Sequence, residues 1–233
     1  MLLSLWSPKG GSGTSVFAAA CATVLASERG ARLVDLDGDQ AAILGLPPFG
    51  LEPARGARDW LAAGPATPAD GLERLAIDVD RGLKLVPPGS GAWGASGEAG
   101  AALGVVLRDW GTAVVADCGR ADDDAARAVI EVSDHAVVVV RSCYLALRRA
   151  AGDALLRVAA GVVVVEEQGR AMGAREVADV LGVPVLACVP ARAAIARVVD
   201  AGVLVTRLPD QLARPARTLL ARLGVARSRD TAA

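Results

Sequence analysis

Histidine is nearly absent from this sequence, and apolar runs of membrane length are absent from it. With His135 as the one histidine, the chain can form neither a histidine-based catalytic triad nor a histidine zinc site, which excludes the usual protease, esterase and deaminase chemistries. Apolar runs such as 136–140 and 161–165 are too short to span a bilayer. The apolar opening, 1–6, leads directly into a glycine-rich turn without a small-residue cleavage site, so we expect a soluble cytoplasmic protein.

Cysteine is also scarce. The four cysteines stand singly among apolar residues, at Cys21, Cys118, Cys143 and Cys188. They show neither metal-ligand spacing nor the density of a disulfide scaffold. We therefore expect reduced thiols packed in a hydrophobic core.

Short runs of valine, leucine and alanine alternate with longer amphipathic stretches along the chain. The runs predict strands at 2–6, 31–36, 83–86, 112–117, 135–140, 160–165 and 183–188. The stretches predict helices at 14–28, 57–63, 69–75, 99–108, 123–132, 144–156, 173–181, 191–200 and 210–223, with a long loop over 87–100. Because the strand runs are apolar throughout, helices should cover both faces of the sheet. The pattern predicts one domain over residues 1–233, a three-layer α/β/α sandwich around a mostly parallel sheet.

A glycine-rich turn separates the first strand from an alanine-rich helix, and it reads Ser7-Pro8-Lys9-Gly10-Gly11-Ser12-Gly13-Thr14-Ser15. In this context such a turn aims backbone N–H groups at a phosphate, and the helix N-terminus adds a favourable dipole. The alternative is a plain glycine turn that only joins the strand to the helix.

The segment Lys9-Gly10-Gly11-Ser12-Gly13 resembles the phosphate loop of the ParA/MinD family of deviant Walker A P-loop ATPases, whose motif reads K-G-G-x-G-K-[ST]. The resemblance implies ATP and Mg²⁺ as cofactors and a nucleotide cradle formed by Lys9, Gly10, Gly11, Ser12, Gly13, Thr14 and Ser15. It also implies that Lys9 reaches across a homodimer to the partner's nucleotide during catalysis, and that Ser15 binds Mg²⁺. Thr14 stands where the family has a second lysine, which neutralises the β- and γ-phosphates. Since a charge-assisted hydrogen bond contributes about 1.5–3 kcal/mol, ATP affinity should fall roughly ten- to a hundredfold.

Acidic residues follow two of the predicted strands. Asp35 and Asp37 close the second strand, where alternation should point both side chains to one face. Asp117 ends the apolar run 113–116, which has the form of a Walker B segment. The resemblance implies that Asp37 positions the attacking water, that Asp35 lies near the metal, and that Asp117 holds Mg²⁺ through water; the alternative is solvated carboxylates at strand ends. The run 122–124 is explained better by helix capping than by a metal cluster.

The resemblance to the family continues to residue 202, through the strand at 135–140 and the segment 183–190. After the apolar run 162–165, active members commonly carry an asparagine that reads adenine, whereas this chain has Glu166. With two nucleotide contacts changed, the chain most resembles the CpaE/TadZ branch with a degenerate phosphate loop. Members of that branch help to place pilus-assembly machinery at a cell site.

Arginines accompany leucines near the C-terminus, at Arg214, Arg217, Arg222, Arg227 and Arg229. A basic amphipathic helix of this kind can lie on an anionic membrane, an arrangement that resembles MinD. The stretch is short, beginning at Pro215 and stopping at Gly224. A last helix packed on its own domain is therefore the favoured interpretation, and peripheral membrane contact is the alternative.

Three functions agree with these patterns. The first is a dimerising positional or scaffolding protein, recruited to the membrane or a cell pole, that localises a protein partner and is at most a weak ATPase; Thr14 and Glu166 favour it. The second is an active ATP-hydrolysing switch in partitioning or cell-division positioning. The residues that favour it are Lys9, Ser15, Asp37 and Asp117. The third is DNA binding by the arginine-rich C-terminal part, which the net charge of −1 disfavours.

Overall fold

The computed structural model describes residues 1–47, 55–64, 66–80, 82–91, 94–169 and 172–225. Within these residues the strands are β1 (Leu2–Trp6), β2 (Ala31–Asp35), β3 (Ile77–Asp80), β4 (Leu83–Val86), β5 (Ala113–Asp117), β6 (His135–Arg141), β7 (Ala159–Glu166) and β8 (Val185–Pro190). They form one sheet in the order β3-β4-β2-β5-β1-β6-β7-β8. Every neighbouring pair is parallel except β3 and β4. The predicted mostly parallel sheet is confirmed.

The same described residues form the helices α1 (Thr14–Arg29), α2 (Gln40–Ile43), α3 (Ala57–Ala62), α4 (Ala69–Glu73), α5 (Gly97–Arg108), α6 (Asp124–Val132), α7 (Tyr144–Ala151), α8 (Ala174–Leu181), α9 (Ala193–Asp200) and α10 (Asp210–Arg222). A short 3₁₀ helix, Ala154–Val158, follows α7.

The side chains of β1 point alternately into two separate cores. Leu3 and Leu5 pack on one face of the sheet, in a core that includes residues of α1 and α10. Leu2 and Trp6 pack on the other face, with residues of α5 and α6. All four are fully buried, and burying such a side chain stabilises the fold by about 1.5–3 kcal/mol. The two cores confirm the predicted three-layer sandwich.

Two of the four cysteines are buried in these cores, and the other two are half-buried. Cys21 is a buried residue of α1 in one core, and Cys118, which follows β5, lies in the opposite core. Burial raises the pKa of both thiols. Cys143 and Cys188 are half-buried, and all four are free thiols.

Two short elements differ from the sequence prediction. The strand Ile77–Asp80 is absent from the predicted strands; it has four residues, of which two are acids and two are apolar. It pairs antiparallel at the edge of the sheet, where one face remains open to solvent. The helix Gln40–Ile43 has four residues, which is too short to show a helical period.

Several boundaries were also predicted wrongly. The helix expected over 144–156 ends at Ala151, and a separate 3₁₀ helix follows it. Helix α5 begins at Gly97, inside the expected long loop, because the Ser96 hydroxyl accepts the Ala99 N–H at 3.2 Å and caps the helix; Trp93 lies outside the described residues. Pro215 is inside α10 and not at its start. The buried apolar face of α10 packs on α1 and outweighs the one helical hydrogen bond that a proline cannot donate.

The strand order places the loops that follow β2, β5 and β1 next to one another at the carboxyl edge of the sheet. β5 lies between β2 and β1, and in register Asp117 is level with Asp35 on one side and Leu5 on the other. The order in which strands are added to the sheet also reverses at β1: β2 to β5 lie on one side of it, and β6 to β8 lie on the other. Ligands of open α/β sheets bind at such a switch point.

Candidate functional site

The glycine-rich turn between β1 and α1 forms an open cradle. Gly11 and Gly13 have φ angles of 74° and 84°, in the left-handed region that favours glycine. A Cβ built on either would meet no heavy atom within 4 Å, so the space in front of the loop is empty of protein. No side chain caps α1, and the N–H groups of its first turn are therefore available to an anion.

Hydroxyl groups hold the loop in this shape from behind. The Ser12 hydroxyl donates to the Lys9 carbonyl at 2.7 Å and lies 2.8 Å from the Ser7 hydroxyl. The Ser7 hydroxyl in turn accepts the Lys9 N–H at 3.3 Å. Because the Ser12 side chain is buried and its hydroxyl is hydrogen-bonded within the loop, Ser12 can bind a ligand only through its backbone N–H.

A pocket of about 490 Å³ opens over the loop. It is lined by all seven predicted cradle residues, Lys9, Gly10, Gly11, Ser12, Gly13, Thr14 and Ser15. Asp37 lines it as well, while Asp35 and Asp117 do not. Thr14 is buried at the first position of α1, so the site has a compact neutral side chain where the family motif has a lysine. The Lys9 ammonium rests 3.5 Å from the Gly10 carbonyl of its own loop.

Ser15 contacts both Asp37, which lines this pocket with it, and Asp117, which is fully buried outside the pocket lining. The Ser15 hydroxyl is close enough to both carboxylates to lower the pKa of each. The opposing effect of burial is larger and raises the pKa of Asp117 to about 7, with the negative charge of Asp35 adding to it. Partial burial likewise raises the pKa of Asp37. A hydroxyl and two carboxylates are hard oxygen ligands of the kind that bind Mg²⁺ together with phosphate oxygens and water.

Asp35 plays a different part from Asp37. Its buried carboxylate accepts N–H groups from Asp37 at 3.0 Å, Gly38 at 2.6 Å and Gln40 at 3.0 Å, which folds the loop after β2. Burial raises the pKa of Asp35 to about 6. The single acidic face predicted for Asp35 and Asp37 does not form, because β2 ends at Asp35 and alternation no longer applies beyond it.

Gln40 was not predicted, yet it joins the parts of the site. It is fully buried, and its amide nitrogen donates to Asp117 Oδ2 at 2.7 Å and to the Ser15 carbonyl at 2.9 Å. It thereby connects the loop after β2 to β5 and α1. A lone glutamine after an acidic loop carries no motif, so the sequence offered no signal for it.

A second pocket of about 580 Å³ adjoins the first, and both are lined by Asp37 and Arg120. Arg120 pairs there with Asp122. Asp123 accepts the Ala126 N–H at 2.7 Å and caps α6, as predicted. Among the described residues no group of three or more histidine, cysteine or acidic side chains could hold a metal by itself.

The distal half supplies the remaining predicted features. Glu166 ends β7 exposed, beside a third cavity of about 320 Å³. The apolar face of α10, with Leu212, Leu219 and Leu220, is buried against its own fold. Arg222 donates to the Val185 carbonyl at 2.6 Å. Arg227 and Arg229 lie outside the described residues, and no helix in the described part of the chain is both long and apolar enough to cross a membrane.

Comparison with known proteins gives a curated relative and a set of similar folds. No protein-family model matches the chain. An uncharacterized protein of Mycobacterium tuberculosis, found in two strains, is 32% identical over 227 residues, which is 91% of this chain and 61% of the relative. The chain thus spans about three fifths of the length of that relative.

Three solved structures illustrate the structural likeness. A ParA family ATPase from Chlorobium tepidum has a TM-score of 0.74 at 21% identity, covering 95% of this chain and 97% of that one. The septum site-determining protein MinD from Pyrococcus horikoshii, complexed with Mg-ADP, has a TM-score of 0.73 at 17% identity, and the match covers 95% of each chain. The MinC:MinD cell division protein complex from Aquifex aeolicus has a TM-score of 0.71 at 16% identity, and the match covers 99% of this chain and 98% of that one. This chain therefore has the α/β fold of the ParA/MinD type of P-loop NTPase.

Proposed function

We propose that residues 1–233 form one ParA/MinD-like domain that binds an adenine nucleotide weakly with Mg²⁺ and acts as a dimerising positional or scaffolding protein. The observation that carries this proposal is a built phosphate pocket in which Thr14 replaces the expected cation. The pocket has an open glycine cradle and an uncapped helix N-terminus, and both fit phosphate. A similar fold is known in complex with Mg-ADP, which supports the choice of ligand.

The residues of the site also fit the metal. In the proposed complex Ser15 and Asp37 hold Mg²⁺ directly or through water, Asp117 holds it through water, and Asp35 keeps the neighbouring loop in place. A bound Mg²⁺ supplies positive charge to the phosphates. Gln40 fixes Asp117 Oδ2 at 2.7 Å, so the carboxylate keeps its orientation.

Hydrolysis is the step that this site supports least. Asp37 lies in the pocket where it can orient a water, and Lys9 is present. The β- and γ-phosphates nevertheless lack the lysine charge that α1 would provide at Thr14, and transition-state stabilisation in phosphoryl transfer is mainly electrostatic. We therefore propose a pseudo-ATPase or a weak ATPase whose nucleotide serves mainly to build the dimer.

Localisation of a partner protein completes the proposal. A MinD of similar fold is known in a complex with MinC. The resemblance to the CpaE/TadZ branch points to pilus or secretion machinery as the structure to be placed, with recruitment to a membrane or pole through that partner. The buried apolar face of α10 disfavours direct membrane anchoring by this helix.

The decisive experiment restores the missing charge. Thr14→Lys should strengthen ATP binding by about 1.5–3 kcal/mol, or roughly ten- to a hundredfold, because an ammonium then reaches the phosphates. Isothermal calorimetry of ATP with Mg²⁺, together with phosphate release, measures both binding and turnover. Thr14→Met is the matched control, since it adds length without charge and should bind no better than wild type.

An active ATPase is the second candidate, favoured by the meeting of Lys9, Ser15 and Asp37 in one pocket. It replaces the first proposal if wild type already binds ATP at micromolar concentration and releases phosphate in multiple turnovers. If neither wild type nor Thr14→Lys binds, the nucleotide site itself is refuted, and a scaffold without nucleotide remains.

A further inference from the structure

A second cation reaches the phosphate loop from the turn after β5. Arg120 lines the same pocket as the loop, and among the described residues that line it, Lys9 and Arg120 are the cations. The aliphatic part of Arg120 crosses the loop closely, because a Cβ built on Gly10 would lie 3.2 Å from Arg120 Cδ. The guanidinium is therefore carried at the rim of the phosphate pocket.

The turn that carries Arg120 is fixed relative to the loop. The Ala121 N–H donates to the Cys118 carbonyl at 2.8 Å, and the Ser7 N–H donates to the Gly119 carbonyl at 2.8 Å. Ala121 has a φ of 51°, the one positive φ of a non-glycine residue in the described part of the chain. A backbone held in this region costs energy and persists where the surroundings impose it, often at ligand sites. The strained turn keeps the stem of Arg120 above Gly10.

We propose that Arg120 binds the nucleotide phosphates and supplies the positive charge that Thr14 does not. This inference rests on the proposed nucleotide site and names the residue that takes over the missing role. A guanidinium presents a planar fork of charged N–H donors that can bind two phosphate oxygens at once, whereas the Thr14 hydroxyl offers one neutral donor.

The present partner of Arg120 is one that a phosphate can displace. Arg120 pairs with Asp122, and their side chains are 60% and 63% exposed. Exposed ion pairs contribute little to stability, whereas a phosphate brings more negative charge and several acceptor oxygens. Arg120 also faces Asp37, whose pKa its charge lowers against the larger effect of burial. Binding of phosphate and Mg²⁺ would thus let Arg120 and Asp37 each meet an opposite charge.

Calorimetric titration with tripolyphosphate tests the inference, because this probe carries the phosphates without the base. In the wild-type chain Arg120→Ala should weaken binding roughly tenfold or more. In a Thr14→Lys background the same change should cost less than about threefold, since the introduced ammonium already meets the phosphates. Arg157→Ala is the matched control: Arg157 is 59% exposed and ion-paired with Glu131, but it does not line the pocket. It should bind like wild type.

The outcomes separate this inference from the proposed function. If wild type and Arg120→Ala bind tripolyphosphate equally while Thr14→Lys binds more tightly, the pocket takes phosphate and Arg120 has no part in it. Binding by Thr14→Lys alone, with none by wild type, likewise overturns the compensating role of Arg120. If no variant binds either tripolyphosphate or ADP with Mg²⁺, the nucleotide site fails and the inference fails with it.

Discussion

Replacing Asp117 by asparagine should make the metal-free protein more stable at pH 8. Asp117 is fully buried at the end of β5, and its pKa is raised from 3.8 to about 7. A raised pKa means that the folded state holds a proton which the unfolded chain has already lost. Stability therefore falls as the pH rises from about 4 to 7, and the ionised carboxylate keeps that cost at pH 8.

The structure sets the size of this effect. A shift of about three pKa units at about 1.36 kcal/mol per unit gives an upper bound of roughly 4 kcal/mol. In the wild type Asp117 accepts the Gln40 amide N–H at 2.7 Å and the Gly119 N–H at 3.2 Å, the latter on Oδ1. Asparagine keeps an oxygen that can accept the Gln40 amide, but its NH₂ group would face the Gly119 N–H and could not accept it. Losing that bond costs about 1 kcal/mol, so the expected net gain at pH 8 is about 2–3 kcal/mol. At pH 5, where Asp117 is mostly protonated, the two proteins should differ little.

Urea unfolding in EDTA at pH 5 and pH 8 measures this difference. Asp179→Asn is the control, because it removes the same charge from the exposed part of α8, and it should show no such gain. Adding ADP with Mg²⁺ should stabilise wild type more than Asp117→Asn, since the variant lacks the carboxylate proposed to hold the metal. The reasoning is refuted if Asp117→Asn is less stable than wild type at pH 8, or if the gap between them is the same at both pH values.

Two further predictions concern assembly and partners. Lys9→Ala should shift the protein towards monomer in sedimentation with ATP and Mg²⁺, because Lys9 is proposed to reach the partner's nucleotide. The control variant Lys84→Ala, on β4, should not cause this shift. If wild type and Lys9→Ala both sediment in the same way with and without nucleotide, the basis for a nucleotide-gated dimer is removed. Random duplex DNA should bind weakly at physiological ionic strength, given a net charge of −1. Tight binding in fluorescence anisotropy that weakens steeply with added salt would contradict this.

The sequence was most informative where one segment carries a complete local signal. The phosphate loop combines an apolar strand, glycines at fixed positions and a helix start, and all of these are properties of neighbouring residues. Its glycines adopt the positive φ angles that the motif requires at Gly11 and Gly13. Asp117 was found in the same way, as an acid that ends a buried strand.

The parts that the sequence did not reveal depend on contacts between distant segments. Gln40 matters because it reaches Asp117, which is 77 residues away in the chain. Arg120 matters because its turn is bonded to Ser7, and no period or motif marks either contact. The separation of Asp35 from Asp37 depends on where β2 ends, and a strand end is less reliably predicted than the strand itself.

The buried acids of the site support the proposal that it receives a cation. Asp35 and Asp117 are both fully buried; burial raises the pKa of each carboxyl, and the negative charge of Asp35 raises the pKa of Asp117 further. An empty scaffold would gain stability by replacing such carboxylates with amides, since uncompensated buried charge is costly. A bound Mg²⁺ offsets their charge, and Gln40 and Ser15 already hold the carboxylate of Asp117 in place. In the proposed complex the neutral Thr14 would weaken phosphate binding, while Mg²⁺ would still bind the phosphates. That combination agrees with the proposal that the protein uses nucleotide to assemble more than to hydrolyse it.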